Sequence, residues 1–449
     1  MRALRRDAQG QALVMGLVLL GVLAITVLGA YQLSRLLHQK SRLSAVADAA
    51  AYSAAVVQSR TLNQLAYANR AALGHQMAMA HWITLASWAR YGDAQSKQLA
   101  RRNPPSYLIA SFFGPRQGAA YLSSQGAAGA DAQTQWGSGA LARAFAEHDD
   151  WLRTQFTAVQ QTWLAQLPER RWHVMQEVIA LGQGQYTFTL DSLLHDAWPR
   201  LVQAPSATDP QRFLRWVEQA QQQFGFLQPR DNTAHALLPS EWRCPWLRHQ
   251  LRRRGATERE GLSGWRAHDT QSFHALRSNR WIGCYFREYP MGGGTIAHDA
   301  AAGKAHHADA PDDFSEIDFW RWVERYAQWD LLTGQDNPLA NSWARRQQIQ
   351  WRGGAIPAYA DIRAQHPEDS LSFTIDVSAA ALQSRAFSAG PAWPMSASAS
   401  AESYYARWQA RDDGRIELPS LFQPFWHARL VARPGPDAPA VAPQAGGAR

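Results

Sequence analysis

Histidine and aspartate side chains gather in one Gly- and Ala-rich stretch, the densest set of metal-binding residue types in the chain. They are His298, Asp299, His306, His307, Asp309, Asp312 and Asp313. Imidazole and carboxylate groups both bind zinc and related metals. Metal sites of hydrolases usually place two ligands on one helix face, as in H-E-x-x-H, and no such spacing occurs here. We interpret the stretch as a polar loop, and an envelope hydrolase that uses it is an alternative.

No other pattern in the chain predicts catalysis. G-x-S-x-G, Walker A and dinucleotide-binding glycine motifs are absent from any fitting context, and no nucleophile has a candidate base. We therefore predict that the protein is not an enzyme and that it uses no cofactor.

The chain has two cysteines, Cys244 and Cys284. No C-x-x-C pair exists, which excludes a zinc-ribbon site. In an oxidising compartment the two could form a disulfide, and closing that loop would contribute about 4 kcal/mol in the chain-entropy model. In a reducing compartment they would stay as thiols. The sequence leaves both states open.

The chain carries a net charge of +8 over 449 residues, and its densest basic run is RHQLRRR, from Arg248 to Arg254. Such a run can bind the phosphates of lipids or nucleic acids. No nucleic-acid-binding motif accompanies it, so we interpret it as a solvated loop and predict no nucleic-acid partner.

Tryptophan is unusually frequent, with 20 residues. Five of them lie at helical spacing with other apolar residues, which is typical of buried core positions. These are Trp151, Trp163, Trp216, Trp320 and Trp329. Aromatic faces also stack on sugars. A binding module of the cell envelope, either an adhesin or a cell-wall glycan binder, is therefore one function that we keep open.

An uncharged segment runs from Ala8 to Ser34 and contains the apolar run ALVMGLVLLGVLAITVLGAY. About 20 mostly apolar residues suffice for a helix to cross the roughly 30 Å hydrocarbon core of a bilayer. A cleaved signal peptide would have a shorter apolar region and small residues before its cleavage site, where Leu28 stands here. We predict a retained single-pass membrane helix over 12–33. Basic residues flank both ends, so the positive-inside rule does not decide its orientation.

The helical pattern continues to about Leu99, without proline and with glycine only at Gly74 and Gly92. Alanine, the strongest helix former, is abundant there. Small and aliphatic residues repeat every three, four or seven positions and form a seam that another helix could approach closely. The seam comprises Leu36, Leu43, Ala47, Ala50, Ala51, Ala54 and Val57. One unbroken helix from Ala12 would reach about 130 Å, so we expect a kink or a return near Gly74.

The rest of the chain divides by composition, and we predict an α+β fold. A single membrane helix continues into a long Ala-rich helix, followed by a helical region and a mixed α/β C-terminal domain. Strand-like runs include QYTFTL at 185–190, LSFTIDV at 371–377 and ARLVA at 428–432. The predicted segments are a cytoplasmic tail at 1–11, the membrane helix at 12–33, a helical stalk at 34–100, a flexible connector at 101–138, a helical region at 139–226, a mixed domain at 227–433 and a disordered tail at 434–449.

Three short runs near the N-terminus form a recognisable set: GQA at 10–12, QKSRL at 39–43 and ADAAA at 47–51. With the apolar run, they make the first hundred residues resemble the TadE/TadG-like proteins of bacterial Tad, or Flp-type, pilus-assembly systems. The run NQLAYANRA at 63–71 and the run LFQPFWHARL at 421–430 are similar to segments of a subgroup of larger envelope proteins.

The resemblance implies a single-pass inner-membrane protein with its N-terminus in the cytoplasm and its bulk in the periplasm. It implies a structural, non-catalytic role in a pilus or secretion machine. The implied partners are other pilus-assembly or envelope proteins, in a homo- or hetero-oligomer formed through the N-terminal helix. Prepilin-like members have Glu at the fifth position after the cleavage-site glycine, whereas the fifth residue after Gly10 is Met15. This difference argues against prepilin processing.

Overall fold

A computed structural model describes residues 9–102, 104–182, 185–205, 209–239, 248–272, 289–297, 349–379, 395–409 and 411–432. These residues form an α+β structure, as predicted, with a long apolar helix at the N-terminus and most strands in the C-terminal half. The helices are α1 (Gln9–Ala100), α2 (Ser106–Phe113), α3 (Pro115–Leu122), α4 (Ala140–Leu181), α5 (Trp198–Leu201) and α6 (Pro210–Gln221).

The strands of the described residues belong to three sheets, of five, two and six strands. Their bounds are β1 (Tyr186–Thr187), β2 (Leu193–Asp196), β3 (Val202–Gln203), β4 (Arg230–Asp231), β5 (Ala234–Pro239), β6 (Arg248–Glu260), β7 (Gly264–Ser272), β8 (Tyr289–Ala297), β9 (Ile349–Arg352), β10 (Asp361–Ile362), β11 (Leu371–Ala379), β12 (Met395–Tyr405) and β13 (Trp426–Val431).

Contacts between Cα atoms group the chain into two compact units, each formed by separate stretches of sequence. Unit 1 comprises residues 1–67, 160–204 and 360–449, and unit 2 comprises residues 68–159 and 205–359. Both long helices, α1 and α4, therefore contribute residues to each unit. The large apolar side chains of α1 from Leu13 to Leu37 are exposed, and below unit 1 denotes only the folded part that follows this apolar segment. The contiguous segments expected from the sequence remain a prediction.

Unit 1 contains an antiparallel sheet in the order β1-β11-β12-β13, with β2 also pairing with β11. Alternate residues of β11 and β12 point to one face, and this face is buried. The cross-strand pairs on that face are Phe373 with Ala401, Ile375 with Ala399, and Val377 with Ala397. Large residues on one strand thus face alanine on the next, which leaves room for a helix to approach the sheet.

Unit 2 contains the six-stranded sheet in the order β4-β6-β7-β8-β9, with β5 on β6 and a parallel pairing of β8 with β9. The triple glycine of β8 brings this strand close to α1. A Cβ atom at Gly292 would lie 2.1 Å from the carbonyl oxygen of Ser87, and one at Gly294 would lie 2.5 Å from Ile83. The glycines therefore permit packing here and do not mark a turn.

Helix α1 runs unbroken for 92 residues, so the return expected near Gly74 is wrong. Gly74 is exposed, and glycine in a helix costs about 1 kcal/mol relative to alanine. The residues on either side of it are buried in unit 2, among them Ala72, Gln76 and Met79. Burial of this face offsets the cost of the glycine.

Several local interpretations of the sequence also change. The basic run from Arg248 to Arg254 lies within strand β6 and is not a loop. Helices α2 and α3 occupy part of the segment predicted as a connector at 101–138. Trp151 is 56% exposed, so it is not a core residue, whereas Trp163 packs against the core of unit 1 and Trp216 is half-buried.

Candidate interaction site

The alanine seam of α1 is covered by the chain itself. Leu43 and the four seam alanines are completely buried in the main core of unit 1. They share this core with Met175 and Ile179 of α4 and with the buried face of β11 and β12. The buried seam alanines are Ala47, Ala50, Ala51 and Ala54. Their small size lets α1 approach both α4 and the sheet closely.

The two ends of the predicted seam lie in different surroundings. Leu36 is 43% exposed and belongs to the apolar segment that precedes unit 1. Val57 is half-buried and packs on a second core of unit 1, formed around Leu62, Leu65, Leu167 and Trp426. The structure thus brings Leu43 and the seam alanines together and leaves Leu36 outside.

A buried cation of the neighbouring helix α4 contacts α1 just beyond the end of the seam. The guanidinium group of Arg171 is 4% exposed and forms a salt bridge with Asp196 at the end of β2. It also donates to the side-chain oxygen of Gln58, whose amide group donates to the carbonyl oxygen of Leu371 at 2.9 Å. The arginine lies 5.1 Å from the ring centre of Phe373. This network joins α1, α4 and β11 by polar contacts.

The two runs similar to larger envelope proteins meet in unit 1 through Asn63 and Trp426, which are 363 positions apart in the sequence. The side chain of Asn63 in α1 donates to the carbonyl oxygen of Trp426 at 2.9 Å and accepts from its backbone N–H at 3.0 Å. Both groups belong to the first residue of β13. An asparagine side chain carries one donor and one acceptor group, which suits this double contact with the backbone of one residue.

The segment before β13 is held by further contacts around Trp426. Its indole N–H donates to the carbonyl oxygen of Ser420 at 3.1 Å, and the hydroxyl of Ser420 accepts from the N–H of Phe422 at 2.9 Å. Tyr405 packs edge-on against Trp426 at 5.4 Å, and burial, followed by the charge of Glu417, raises the pKa of the tyrosine hydroxyl. The C-terminal run therefore closes the core of unit 1.

The N-terminal end of unit 1 is a junction between buried and exposed parts of α1. Lys40 donates to the carbonyl oxygen of Ser396, at the start of β12, and Arg42 donates to that of Gly182 at 3.5 Å. Gly182 follows α4, and a Cβ atom there would lie 2.8 Å from Val46. The glycine therefore allows the end of α4 to approach α1 closely.

The part of α1 before this junction is exposed and apolar. Its large side chains from Leu13 to Leu37 are 43–72% exposed. Of the described helices, α1 alone is long and apolar enough to cross a membrane, and none of its most apolar window is buried. The structure thus contains one candidate membrane span, in the position predicted from the sequence.

Other predicted sites fall outside what the structure describes. Cys244, Cys284 and the cluster from His298 to Asp313 all lie in undescribed stretches, as do Trp320 and Trp329. Among the residues that are described, no group of three or more His, Cys, Asp or Glu side chains is placed to hold a metal ion.

Sequence reasoning singled out the run containing Asn63 but not the contact that this residue makes, and it missed Gln58 and Arg171 altogether. A polar residue on the apolar face of a helix is the signal that could have identified Gln58. It lies four positions after Ala54 and four before Leu62, both completely buried.

Comparison with known proteins identifies the N-terminal part of the chain. Residues 10–57 match the Tad family of Flp pilus-assembly TadE/G-like proteins. This TadE/G-like segment covers about a tenth of the chain and includes the exposed apolar helix and the complete seam. The match confirms the resemblance predicted from the sequence. No curated protein and no solved structure matches the chain significantly.

Proposed function

We propose that the protein is a membrane-anchored, non-catalytic structural component of a bacterial Flp/Tad-type pilus or a related secretion system. The supporting observation is the TadE/G-like match at residues 10–57, which coincides with the exposed apolar helix and its transition into unit 1. In this proposal the apolar helix spans the inner membrane once, and both units lie in the periplasm.

The anchor can be tested by placing two charges in the middle of the apolar run. Charged residues at the centre of a membrane helix cost about 2.5–3.5 kcal/mol each on insertion scales. The double substitution Leu19→Lys and Leu23→Lys should therefore release the protein from membranes washed with alkaline carbonate. The same substitutions at exposed positions of unit 1, Gln64→Lys and Tyr67→Lys, are the control and should leave it in the membrane. Retention of the first variant would contradict the anchor.

We further propose that partners contact the exposed face of α1 and that the seam holds unit 1 together. The sequence suggested a partner helix on the seam, but these alanines pack against α4 and the sheet. Within the matched residues, the described parts of the chain leave one face of the stalk uncovered, and this face includes Ala45, Ala49 and Tyr52. This face continues the exposed surface of the apolar segment, so one partner helix could follow both.

Adjacent alanines provide a matched test of this division. Ala49 is exposed, whereas Ala50 is completely buried. We expect Ala49→Glu to keep the fold but to reduce piliation and the recovery of pilus-assembly proteins with the tagged chain. Ala50→Glu should unfold unit 1, because a buried unpaired carboxylate is strongly unfavourable. Normal piliation and unchanged partner recovery with folded Ala49→Glu would refute the proposed partner face.

A second candidate function, glycan binding by exposed aromatic residues, has one supporting observation. Trp408 is 83% exposed and lies edge-on to the ring of His427 at 5.1 Å, so one indole face is open to solvent. If this face stacks on sugar, Trp408→Ala should weaken co-sedimentation of the protein with peptidoglycan. Equal co-sedimentation of the variant and the unchanged protein would remove this candidate.

A further inference from the structure

We propose that the N-terminal end of unit 1 rests on the membrane surface and binds lipid phosphate groups through Lys40 and Arg42. This inference depends on the proposed membrane anchor. It adds a second membrane contact, made by the folded unit, to the one made by the apolar helix.

Position along α1 places this end of unit 1 beside the bilayer. The uncharged segment ends at Ser34, and Arg35 follows. At 1.5 Å per residue, Lys40 and Arg42 lie about 8 and 10 Å beyond Arg35 along the helix axis. The polar headgroup layer is about 5–8 Å thick on each side of the hydrocarbon core. Helical side chains lean towards the N-terminus, so these two cations lean towards the lipid.

The charged residues at the N-terminal end of unit 1 are all basic. From Ala8 to Ala47 the charged residues are Arg35, Lys40 and Arg42, with no carboxylate before Asp48. Lys40 and Arg42 are exposed, and each has one hydrogen bond to a backbone carbonyl, which leaves most of their donor groups available. A cationic surface next to a membrane helix is attracted to anionic lipid headgroups.

An apolar side chain accompanies these cations. Leu181, the last residue of α4, is 79% exposed. Because α4 runs antiparallel to α1 in unit 1, its C-terminal end lies near Arg42, which contacts Gly182. An exposed leucine beside two exposed cations suits an interface where apolar groups enter the headgroup layer and basic groups bind phosphate.

The test uses the full chain with Cys244→Ser and Cys284→Ser, reconstituted in vesicles that contain anionic phospholipid. A fluorophore is attached through Leu181→Cys, and quenching by a headgroup nitroxide lipid is measured. Trp408→Cys is the distal control: its indole contacts His427, which pairs with Tyr404 near the opposite end of β12 from Ser396. We expect at least about twofold stronger quenching at position 181, because the nitroxide stays within the headgroup layer.

One further measurement separates the failure of this proposal from the failure of the anchor. A fluorophore at Leu23→Cys, quenched by an acyl-chain nitroxide, reports the anchor itself. Quenching at position 23 combined with equal quenching at positions 181 and 408 would overturn the proposal while the anchor stands. Absence of quenching at position 23 would reject the anchor, and this proposal with it.

The phosphate contact is tested by the double substitution Lys40→Gln and Arg42→Gln in the chain labelled at position 181. We expect quenching at position 181 to fall in anionic vesicles, while quenching at position 23 and the melting temperature stay unchanged. Unchanged quenching at position 181 in the folded variant would overturn the phosphate contact. The same loss in vesicles of neutral lipid alone would also overturn it, because the attraction would not depend on headgroup charge.

Discussion

Asn63 provides the sharpest test of how α1 and the C-terminal run hold unit 1 together. Its side chain makes two hydrogen bonds, at 2.9 and 3.0 Å, to the carbonyl oxygen and N–H of Trp426. Trp426 is 3% exposed, so water has little access to these groups if the asparagine is removed. An unsatisfied buried polar group costs about 1–3 kcal/mol. Asn63→Ala should therefore lower the free energy of unfolding of unit 1 by about 2–4 kcal/mol.

The loss can be measured by thermal unfolding of the detergent-solubilised protein, followed by circular dichroism. For a unit of about 200 residues, 1 kcal/mol shifts the melting temperature by about 2–4 °C. Asn63→Ala should thus lower it by about 4–16 °C. The control is Gln64→Ala, at the next, exposed position of the same helix, which should change stability by less than about 0.5 kcal/mol.

Hydrogen–deuterium exchange adds a local readout. If Asn63 holds the N–H of Trp426, the peptide containing the start of β13 should exchange faster in Asn63→Ala under native conditions, while β11 stays protected. The reasoning is refuted if Asn63→Ala has the same melting temperature as Gln64→Ala, or if the exchange rate at the start of β13 does not change.

Three further outcomes follow from the packing of both units. Arg171→Met should destabilise unit 1 by about 3–5 kcal/mol in chemical denaturation, since it leaves Asp196 without its cation, and adding Asp196→Asn should recover part of this loss. Ala50→Leu should cost about 1–3 kcal/mol by overpacking the core, whereas Ala49→Leu, at an exposed position, should stay within about 0.5 kcal/mol; equal losses would contradict the burial of the seam. Burial, and then the charge of His75, lowers the pKa of His148 below 6.5, so the neutral form favours folding. The contribution of neutral His148 to stability is present above pH 6.5 and is lost as the pH falls through the lowered pKa. His148→Gln should therefore make the melting temperature fall less steeply on acidification. An unchanged dependence of the melting temperature on pH would contradict this assignment.

Much of the helical structure was predictable because its signals are local. The uncharged run, the alanine content and the spacing of apolar residues predicted most of α1 and a helical region at 139–226, in which α4 and α6 lie. The TadE/G-like resemblance followed from the N-terminal stretch, and the fold class followed from the helical pattern together with the strand-like runs. The continuity of α1 through Gly74 could not be predicted in this way, because it depends on residues distant in the sequence that cover the helix.

Among the strands that the sequence did not predict, two have unusual patterns. Strand β12 reads MSASASAESYY, in which Ala397, Ala399 and Ala401 face the core and Ser396, Ser398 and Ser400 face the other side, so the alternation is present but its apolar residues are small. Strand β6 carries five arginines in thirteen residues, and their density suggested a loop. Tertiary contacts decide such cases, since β-propensity depends strongly on what a strand packs against.

The seam shows what a periodic pattern can and cannot establish. A row of alanines on one helix face predicts that another backbone comes close, but it does not identify that backbone. In the exposed apolar segment, Leu and Val predominate. This composition suits the proposed anchor, because a helix in lipid gains from apolar bulk and needs no close neighbour. After Leu43 the buried residues become small, because α4 and the sheet approach on that side. Residue size along one helix thus changes between the exposed apolar segment and the start of unit 1, which is where the proposed anchor would leave the lipid.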